Sequence, residues 1–247
     1  REREDGSELP LLSDGIGDMT NPIIRVSHLT YRYPSAKRAV IDDLSFTIAR
    51  GETVALMGVN GSGKSTLMKI IAGWEKPDSG TVEIGQTVKI GYFSQENEDM
   101  DTSLKVIDYI RNVAEYVQTK DGSISASQML ERFLFPSSVQ YTVIGKLSGG
   151  EKRRLYLLRI LMDAPNVLIL DEPTNHLDND MVLWLEDYLR AWKGALVMVA
   201  PGRYFLERIV GRMAEVEDGR LFTYEGNYDK YLERKAARLE SERASER

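Results

Sequence analysis

A glycine-rich stretch at residues 58–66 carries the residue types that bind a polyphosphate. It fits the pattern G-x-x-x-x-G-K-[ST] of the phosphate-binding P-loop. Lys64 would neutralise β- and γ-phosphate oxygens, and the Ser65 hydroxyl would be offered to Mg²⁺. The alternative is an ordinary glycine-rich turn, which the Lys-Ser pair disfavours. The predicted binding residues are Gly58, Asn60, Gly61, Ser62, Gly63, Lys64, Ser65 and Thr66.

Two adjacent carboxylates, Asp171 and Glu172, follow an apolar run and could hold a metal ion and activate water. Asp171 would hold Mg²⁺, directly or through water, and Glu172 would act as general base on the attacking water. A helix-capping pair on a loop is the alternative. The continuation Pro-Thr-Asn-His-Leu-Asp at residues 173–178 favours the catalytic interpretation.

The elements around these residues are predicted to position them. Residues 53–57 and 166–170 are apolar runs typical of buried strands, the second of the parallel-sheet type. Leu67, Ile70 and Ile71 recur at helical spacing directly after the P-loop. A strand, a glycine-rich turn and a helix N-terminus together aim backbone N–H groups and the helix dipole at a polyphosphate.

The remaining chain alternates between strand and helix patterns after a lead-in at residues 1–21, which we expect to be a linker or disordered. A hairpin turn is predicted at Asp218 and Gly219. Further strands are predicted at residues 23–26, 29–33, 44–48, 81–84, 89–93, 194–200, 213–216 and 220–224. Helices are predicted within residues 95–146, including stripes over 104–117 and 126–135, and at residues 147–162, 179–192, 203–210 and 228–247. The last, rich in charge, should lead away from the body of the protein.

Composition narrows the class of protein. The 247 residues are 42% hydrophobic and 28% charged, as in soluble globular proteins, and the formal charge of −6 gives no global signature of nucleic-acid binding. No cysteine is present, which fits a reducing cytoplasm. No apolar run approaches the roughly 18–20 residues that span a bilayer, and no signal peptide is predicted. The missing initiator methionine suggests an excerpt from a longer chain.

From about residue 23 to 231, the sequence resembles the ATP-binding cassette (ABC) ATPases. Residues 147–151 are similar to their signature motif, Gln95 to the Q-loop glutamine, Asp178 to the D-loop aspartate and Tyr33 to the aromatic that stacks on adenine. An ordinary strand tyrosine is the alternative for Tyr33. The resemblance implies ATP and Mg²⁺ as cofactors, with Gln95 both catalytic and a metal ligand. It also implies that Ser148, Gly149, Gly150 and Asp178 serve the nucleotide of a facing cassette.

This resemblance implies an α/β P-loop NTPase fold of the ABC ATPase type. The expected parts are a mixed sheet with a parallel core, an antiparallel β patch and a small helical subdomain from about residue 95 to 162. The expected domains are the cassette at residues 22–226 and a charged helix at 227–247 that starts an interdomain linker.

Within the superfamily, the amino-acid sequence of residues 172–178, 203–208 and 224–232 is similar to that of the F-type (ABC-F) cassettes. These are soluble tandem ATPases that work on the ribosome. That implies a cytoplasmic protein acting in translation or antibiotic resistance, paired head to tail with a second cassette and free of membrane insertion. Two rivals remain open at this point. One is the ATPase subunit of a membrane transporter, and the other is a nucleotide-gated module with little turnover.

The sequence departs from the family in two ways. Pro201 stands where the family has its switch histidine, so a hydrogen bond to the γ-phosphate would be missing and turnover would be slow. His28 and His176 lie elsewhere and are expected to be structural and loop-ordering, respectively. The chain also resembles a second cassette up to about Asp178 and a first cassette beyond it. A recombined or engineered chain would explain both departures.

Overall fold

The computed structural model describes residues 22–96, 99–119, 122–199 and 202–246, and it has the α/β architecture expected from the sequence. The strands are β1 Pro22–Tyr31, β2 Ile41–Ala49, β3 Thr53–Met57, β4 Ser79–Ile84, β5 Ile90–Phe93, β6 Tyr116–Thr119, β7 Gly122–Ser125, β8 Val167–Asp171, β9 Ala195–Val199, β10 Arg212–Glu217 and β11 Arg220–Glu225. The helices are α1 Lys64–Ile71, α2 Val106–Arg111, α3 Ala126–Arg132, α4 Ser137–Gln140, α5 Gly149–Met162, α6 Asn179–Ala191, α7 Arg203–Ile209 and α8 Tyr228–Ser245.

The central sheet has the strand order β11-β10-β3-β9-β8-β5. Its pairs are parallel from β10 to β5, and β11 alone within this sheet runs antiparallel to its neighbour. Every residue of β8 and β9 is buried, because parallel strands in the middle of a sheet are covered on both faces. The order places β9 between the P-loop strand β3 and the strand β8 that ends in Asp171.

A second, antiparallel sheet has the order β2-β1-β4 and matches the predicted β patch. It shares one apolar core with α1 and one face of the central sheet, with Phe46, Leu56 and Ile71 fully buried there. A second core lies between the central sheet, the helical subdomain, α5 and α6. The P-loop helix and Asp171 are thus anchored in well-packed layers.

The helical prediction for residues 95–146 is wrong over one segment. Helix α2 ends at Arg111, and residues 116–119 and 122–125 form the antiparallel strands β6 and β7, in which Tyr116 pairs with Ser125. The strand β6 contains the strand-forming residues Tyr116, Val117 and Thr119, and side-chain exposure alternates along it. This two-residue period is that of a strand and not of the predicted helix.

Helix α8 does not simply lead away from the body. Tyr231 is buried at its N-terminal end, and Lys235 and Arg238 form ion pairs with Glu215 and Glu217 of β10. The first half of the helix therefore packs on the β10–β11 hairpin. The predicted lead-in at residues 1–21 lies outside the described residues.

Candidate functional site

One cleft of about 460 Å³ gathers most of the residues that the sequence predicts for phosphate, metal and water chemistry. It lies where β3, β8 and β9 end and α1 begins. Its lining residues are Tyr33, Val40, Asn60, Gly61, Ser62, Gly63, Lys64, Ser65, Thr66, Gln95, Asp171, Glu172 and Val199.

The P-loop backbone needs glycine at two positions. Gly58 has a φ of 145°, and a Cβ there would lie 2.5 Å from the Ser62 Oγ and 2.7 Å from the carbonyl oxygen of Val216. Gly63 has a φ of 101°, and a Cβ there would lie 3.1 Å from Val40. Side chains would be both strained and obstructed at these points. The glycines therefore allow the chain to curl directly into helix α1.

Lys64 and Ser62 present polar atoms at this turn. The Lys64 Nζ donates a hydrogen bond of 2.6 Å to the carbonyl oxygen of Gly58, so the ammonium bridges the loop. The Ser62 hydroxyl is buried and makes no hydrogen bond in the described part of the chain. Buried hydroxyls ordinarily have partners. A cation and an unpaired hydroxyl beside the N-terminus of α1 suit an anionic ligand.

Tyr33 closes one side of the cleft and is 45% exposed. Its hydroxyl is hydrogen-bonded to the Thr66 hydroxyl in the first turn of α1, and its ring meets Tyr31 edge-on at 5.1 Å between centroids. The tyrosine is thus an exposed aromatic surface in a fixed position, available for a flat ring to stack on.

The opposite wall of the cleft joins residues that are 106 positions apart. The Ser65 Oγ donates a hydrogen bond of 2.9 Å to the Asp171 Oδ2. Asp171 is 1% exposed, and its Oδ1 is buried without a hydrogen-bond partner among the described residues. Burial raises the pKa of the Asp171 carboxyl, while the Ser65 hydrogen bond and the Lys64 charge oppose the rise.

This pair fits Mg²⁺. The ion prefers oxygen ligands and is usually held by one or two carboxylates together with substrate phosphates and waters. The unpaired Asp171 Oδ1 beside the Ser65 hydroxyl supplies such ligands. Within the described ranges, no cluster of three or more His, Cys, Asp or Glu side chains could hold a metal by itself.

Glu172 lies next to the metal-type carboxylate on a strained backbone. Its φ is 51°, its N–H donates to the carbonyl oxygen of Val199 at 2.8 Å, and its Oε2 accepts a hydrogen bond of 2.5 Å from the Asn175 Nδ2. Left-handed conformations of residues other than glycine cost energy and persist where the surroundings enforce them. The carboxylate is consequently oriented in the cleft by both a backbone bond and a side-chain bond.

Five predicted residues do not line the cleft: Gly58, which shapes the backbone of the turn, and four residues outside the P-loop. Ser148 caps α5 in a reciprocal capping box with Glu151, Gly149 is exposed, and Asp178 caps α6 through a 2.9 Å bond from the Met181 N–H. A Cβ on Gly150 would lie 3.5 Å from the carbonyl oxygen of His176, so the two loops adjoin. Ser148, Gly149, Gly150 and Asp178 therefore lie outside the cleft of their own chain.

The histidines lie outside the cleft. The His28 Nδ1 makes a 2.8 Å contact with the Asp43 carboxylate on the exposed antiparallel sheet, as expected for a structural residue. His176 is exposed, with a φ of 67°. Pro201 falls outside the described residues, between Val199, which lines the cleft, and Gly202, which precedes α7.

Sequence reasoning missed Arg153. It lies on α5, is 8% exposed, and donates to the backbone carbonyl oxygens of Ser94 and Glu96 on either side of Gln95. The available signal was weak, because Arg153 stands in a run of charged residues, and only its helical spacing from Leu157 and Ile160 indicates the buried side of α5.

Comparison with known proteins places this architecture in a family. The family model described as ABC transporter matches residues 41–175, and a second model of the same description matches residues 214–247. The ABC transporter ATP-binding protein YfmR of Bacillus subtilis is 50% identical over 203 residues, covering 81% of this chain and 32% of its own. The energy-dependent translational throttle protein EttA of Escherichia coli is 37% identical over 218 residues, covering 88% and 39%. The chain thus spans about a third of the length of these relatives.

Solved structures agree on the fold. The ATP-binding subunit of an ABC transporter superposes with a TM-score of 0.70 at 22% identity, covering 87% of this chain and 93% of the other. A dimeric ATP-binding cassette in a post-hydrolysis state with ADP and Pi gives 0.67 at 21% identity, covering 82% and 98%. None of the helices in the described ranges is long and apolar enough to cross a membrane.

Proposed function

This chain belongs to the ABC transporter family of ATP-binding cassettes, and from that membership we propose that it binds MgATP and hydrolyses its terminal phosphoanhydride bond. The observation that carries the proposal is the Ser65–Asp171 contact, with an unpaired buried carboxylate oxygen, beside the P-loop and Glu172 in one cleft. That combination holds a metal-bound triphosphate and has a base next to it.

Each residue then has a chemical role in the cleft. The Tyr33 ring stacks on adenine, the P-loop amides and Lys64 bind the β- and γ-phosphates, and Ser65 and Asp171 hold Mg²⁺, with Gln95 as a further ligand. Bound Mg²⁺ neutralises phosphate charge. Glu172, oriented by Asn175, accepts a proton from the water whose oxygen bonds to the γ-phosphorus as the bond to the ADP oxygen breaks.

A complete site is proposed to need a second cassette. Ser148, Gly149, Gly150 and Asp178 lie together away from their own cleft, on loops that adjoin through Gly150 and His176. The N-terminus of α5 in this position suits phosphate oxygens from a partner. The dimeric state named for one structural neighbour supports the same arrangement. The partner is a second copy of this chain or another cassette in a longer protein.

We further propose that the cassette is of the F type and acts on the ribosome in the cytoplasm. Support comes from the amino-acid sequence of residues 172–178, 203–208 and 224–232, and from the translational role in the name of EttA. Other relatives carry the name ABC transporter ATP-binding protein, which keeps a transporter subunit as the alternative outcome.

The test measures ATP affinity, phosphate release and partner binding on the same preparation. Calorimetry gives the affinity for ATP with Mg²⁺, and a coupled phosphate assay gives turnover. Sedimentation with purified ribosomes, with and without ATP, is compared with flotation on membrane vesicles that hold integral membrane proteins. ATP binding without turnover would contradict the enzyme proposal, and ATP-dependent flotation without ribosome sedimentation would contradict the F-type assignment.

A further inference from the structure

Arg153 lies outside the cleft but contacts one aromatic ring and two backbone carbonyl groups beside it. Its guanidinium lies 4.0 Å from the centroid of the Phe93 ring. Its Nη2 donates to the Ser94 carbonyl oxygen at 2.8 Å, and its Nη1 donates to the Glu96 carbonyl oxygen at 3.2 Å. A planar guanidinium presents its donors in a fixed fork. The two carbonyl groups are therefore held at a set separation.

Gln95 is the residue between those two carbonyl groups, and it lines the cleft with an exposed side chain. Two further side-chain contacts hold this short segment: the Ser94 hydroxyl donates to the Glu96 carbonyl oxygen at 3.1 Å, and the Lys69 Nζ contacts the Glu96 carboxylate at 2.5 Å. The Lys69–Glu96 pair is partly exposed, and such pairs contribute little. The hydrogen bonds of the Arg153 guanidinium, by contrast, come from a buried side chain.

We propose that Arg153 is a positioning residue that fixes Gln95 in the cleft, and that it links this position to helix α5, whose first turn carries Ser148, Gly149 and Gly150. The inference rests on the proposed function.

Arg154 provides a matched control on the same helix. Its guanidinium lies 4.7 Å from the Phe135 ring centroid, and its Nη2 lies 3.4 Å from the Leu134 carbonyl oxygen, away from Gln95. Arg153→Gln and Arg154→Gln each remove a guanidinium from an aromatic ring, a buried one in the first case and a partly buried one in the second. Only the first should affect residues 94–96.

The experiment compares Arg153→Gln, Arg153→Lys and Arg154→Gln with the parent chain. We expect Arg153→Gln to lower kcat about 10²-fold, the scale of a small misplacement of a catalytic group, with the ATP dissociation constant within about 3-fold of the parent because Gln95 contributes little to ground-state binding. The Mg²⁺ concentration for half-maximal rate should rise. Arg153→Lys should recover part of kcat, since one hydrogen bond can still form.

A measurement without nucleotide separates this inference from the proposed function. Amide hydrogen exchange of a peptide spanning residues 93–96 should accelerate in Arg153→Gln and stay at the parental rate in Arg154→Gln. Equal exchange and equal kcat in the two variants would overturn the positioning role even if the parent is an active ATPase. A parent that neither binds nor hydrolyses ATP would instead overturn the proposed function, and accelerated exchange would still support the hold of Arg153 on this segment.

Discussion

At the scale of single residues, the polar atoms of the cleft are arranged for a ligand that carries both negative charge and a metal. Lys64 is bonded to a P-loop carbonyl oxygen, and the Asp171 Oδ1 has no partner among the described residues. The Lys64 ammonium could exchange its carbonyl partner for phosphate oxygens. The Asp171 Oδ1 could bind Mg²⁺, so that both groups would have partners.

Lys64→Ala should abolish ATP binding at millimolar ATP, because the ammonium supplies the phosphate counter-charge inside the P-loop. The loss is measured by calorimetry with Mg²⁺ present. Lys76→Ala, which removes an exposed lysine beyond α1, should bind ATP like the parent. Unchanged affinity in Lys64→Ala would contradict the role of the P-loop.

The second residue-scale prediction concerns Pro201, which by the family resemblance stands in place of a switch histidine. Loss of one preorganised donor typically costs on the order of 10²–10³ in turnover, or roughly 3–4 kcal/mol. The chain as written should therefore bind ATP well and hydrolyse it slowly. The double substitution Pro201→His and Gly202→Asp should raise kcat by about that factor with little change in affinity.

Gly202 can accept this change. Its φ is −110°, and a Cβ would meet no atom of the described residues within 4 Å. Gly202→Asp alone serves as the control, because it alters the start of α7 without restoring the imidazole. An ordinary turnover rate in the parent, or no gain in the double variant, would mean that position 201 is not the missing switch.

At the scale of elements, helix α8 is joined to the sheet beside the P-loop. Glu215 of β10 is 4% exposed, accepts a 3.1 Å bond from the Tyr231 hydroxyl and pairs with Lys235. The carbonyl oxygen of the next residue, Val216, lies so close to Gly58 that only a glycine fits at position 58. The charged helix α8 therefore contacts β10 directly beside the residue that packs against the P-loop.

Glu215→Ala should destabilise the chain by about 1–3 kcal/mol, since it removes the buried carboxylate that pairs with the Lys235 ammonium and accepts the Tyr231 hydrogen bond, and solvent reaches part of Lys235. Urea unfolding monitored by circular dichroism gives the difference in free energy. Glu233→Ala, an exposed change on the same helix, should fall within about 0.5 kcal/mol of the parent. A Glu215→Ala chain as stable as the parent would show that the contact does not hold α8.

At the scale of the whole molecule, the fold separates the cleft from the loops that carry Ser148 and Asp178. Head-to-tail pairing of two cassettes would bring each set of loops onto the other cleft. The nucleotide would then be part of the interface, so association should depend on ATP.

Glu172→Gln should bind ATP and accumulate as a head-to-tail dimer, because the amide keeps the shape of the carboxylate but cannot accept the proton of water. Size-exclusion chromatography with ATP and Mg²⁺ detects the dimer. Adding Ser148→Arg should return it to a monomer that still binds ATP, since Ser148 lies outside its own cleft. A monomeric Glu172→Gln chain that hydrolyses ATP at the parental rate would contradict the role of Glu172.

Much of the site was predictable because its parts are contiguous in the sequence. The P-loop strand, its turn and its helix need only residues 53–71, and local patterns predict each of them. The strand pair β6–β7 was missed because its few residues also fit a helical stripe, and cross-strand pairing of Tyr116 with Ser125 decides the outcome.

The sequence by itself determined that the fold is an α/β cassette, and it predicted the polar residues of the cleft: the P-loop and the two carboxylates that follow the buried strand. Only the tertiary structure decided which of these groups meet. The strand order places β9 between β3 and β8 and brings Ser65 to Asp171, while the packing of α5 brings Arg153 to the carbonyl groups beside Gln95. Local patterns follow from backbone and side-chain preferences of neighbouring residues. Contacts between distant residues depend on how whole layers pack, and that information is spread over the entire chain.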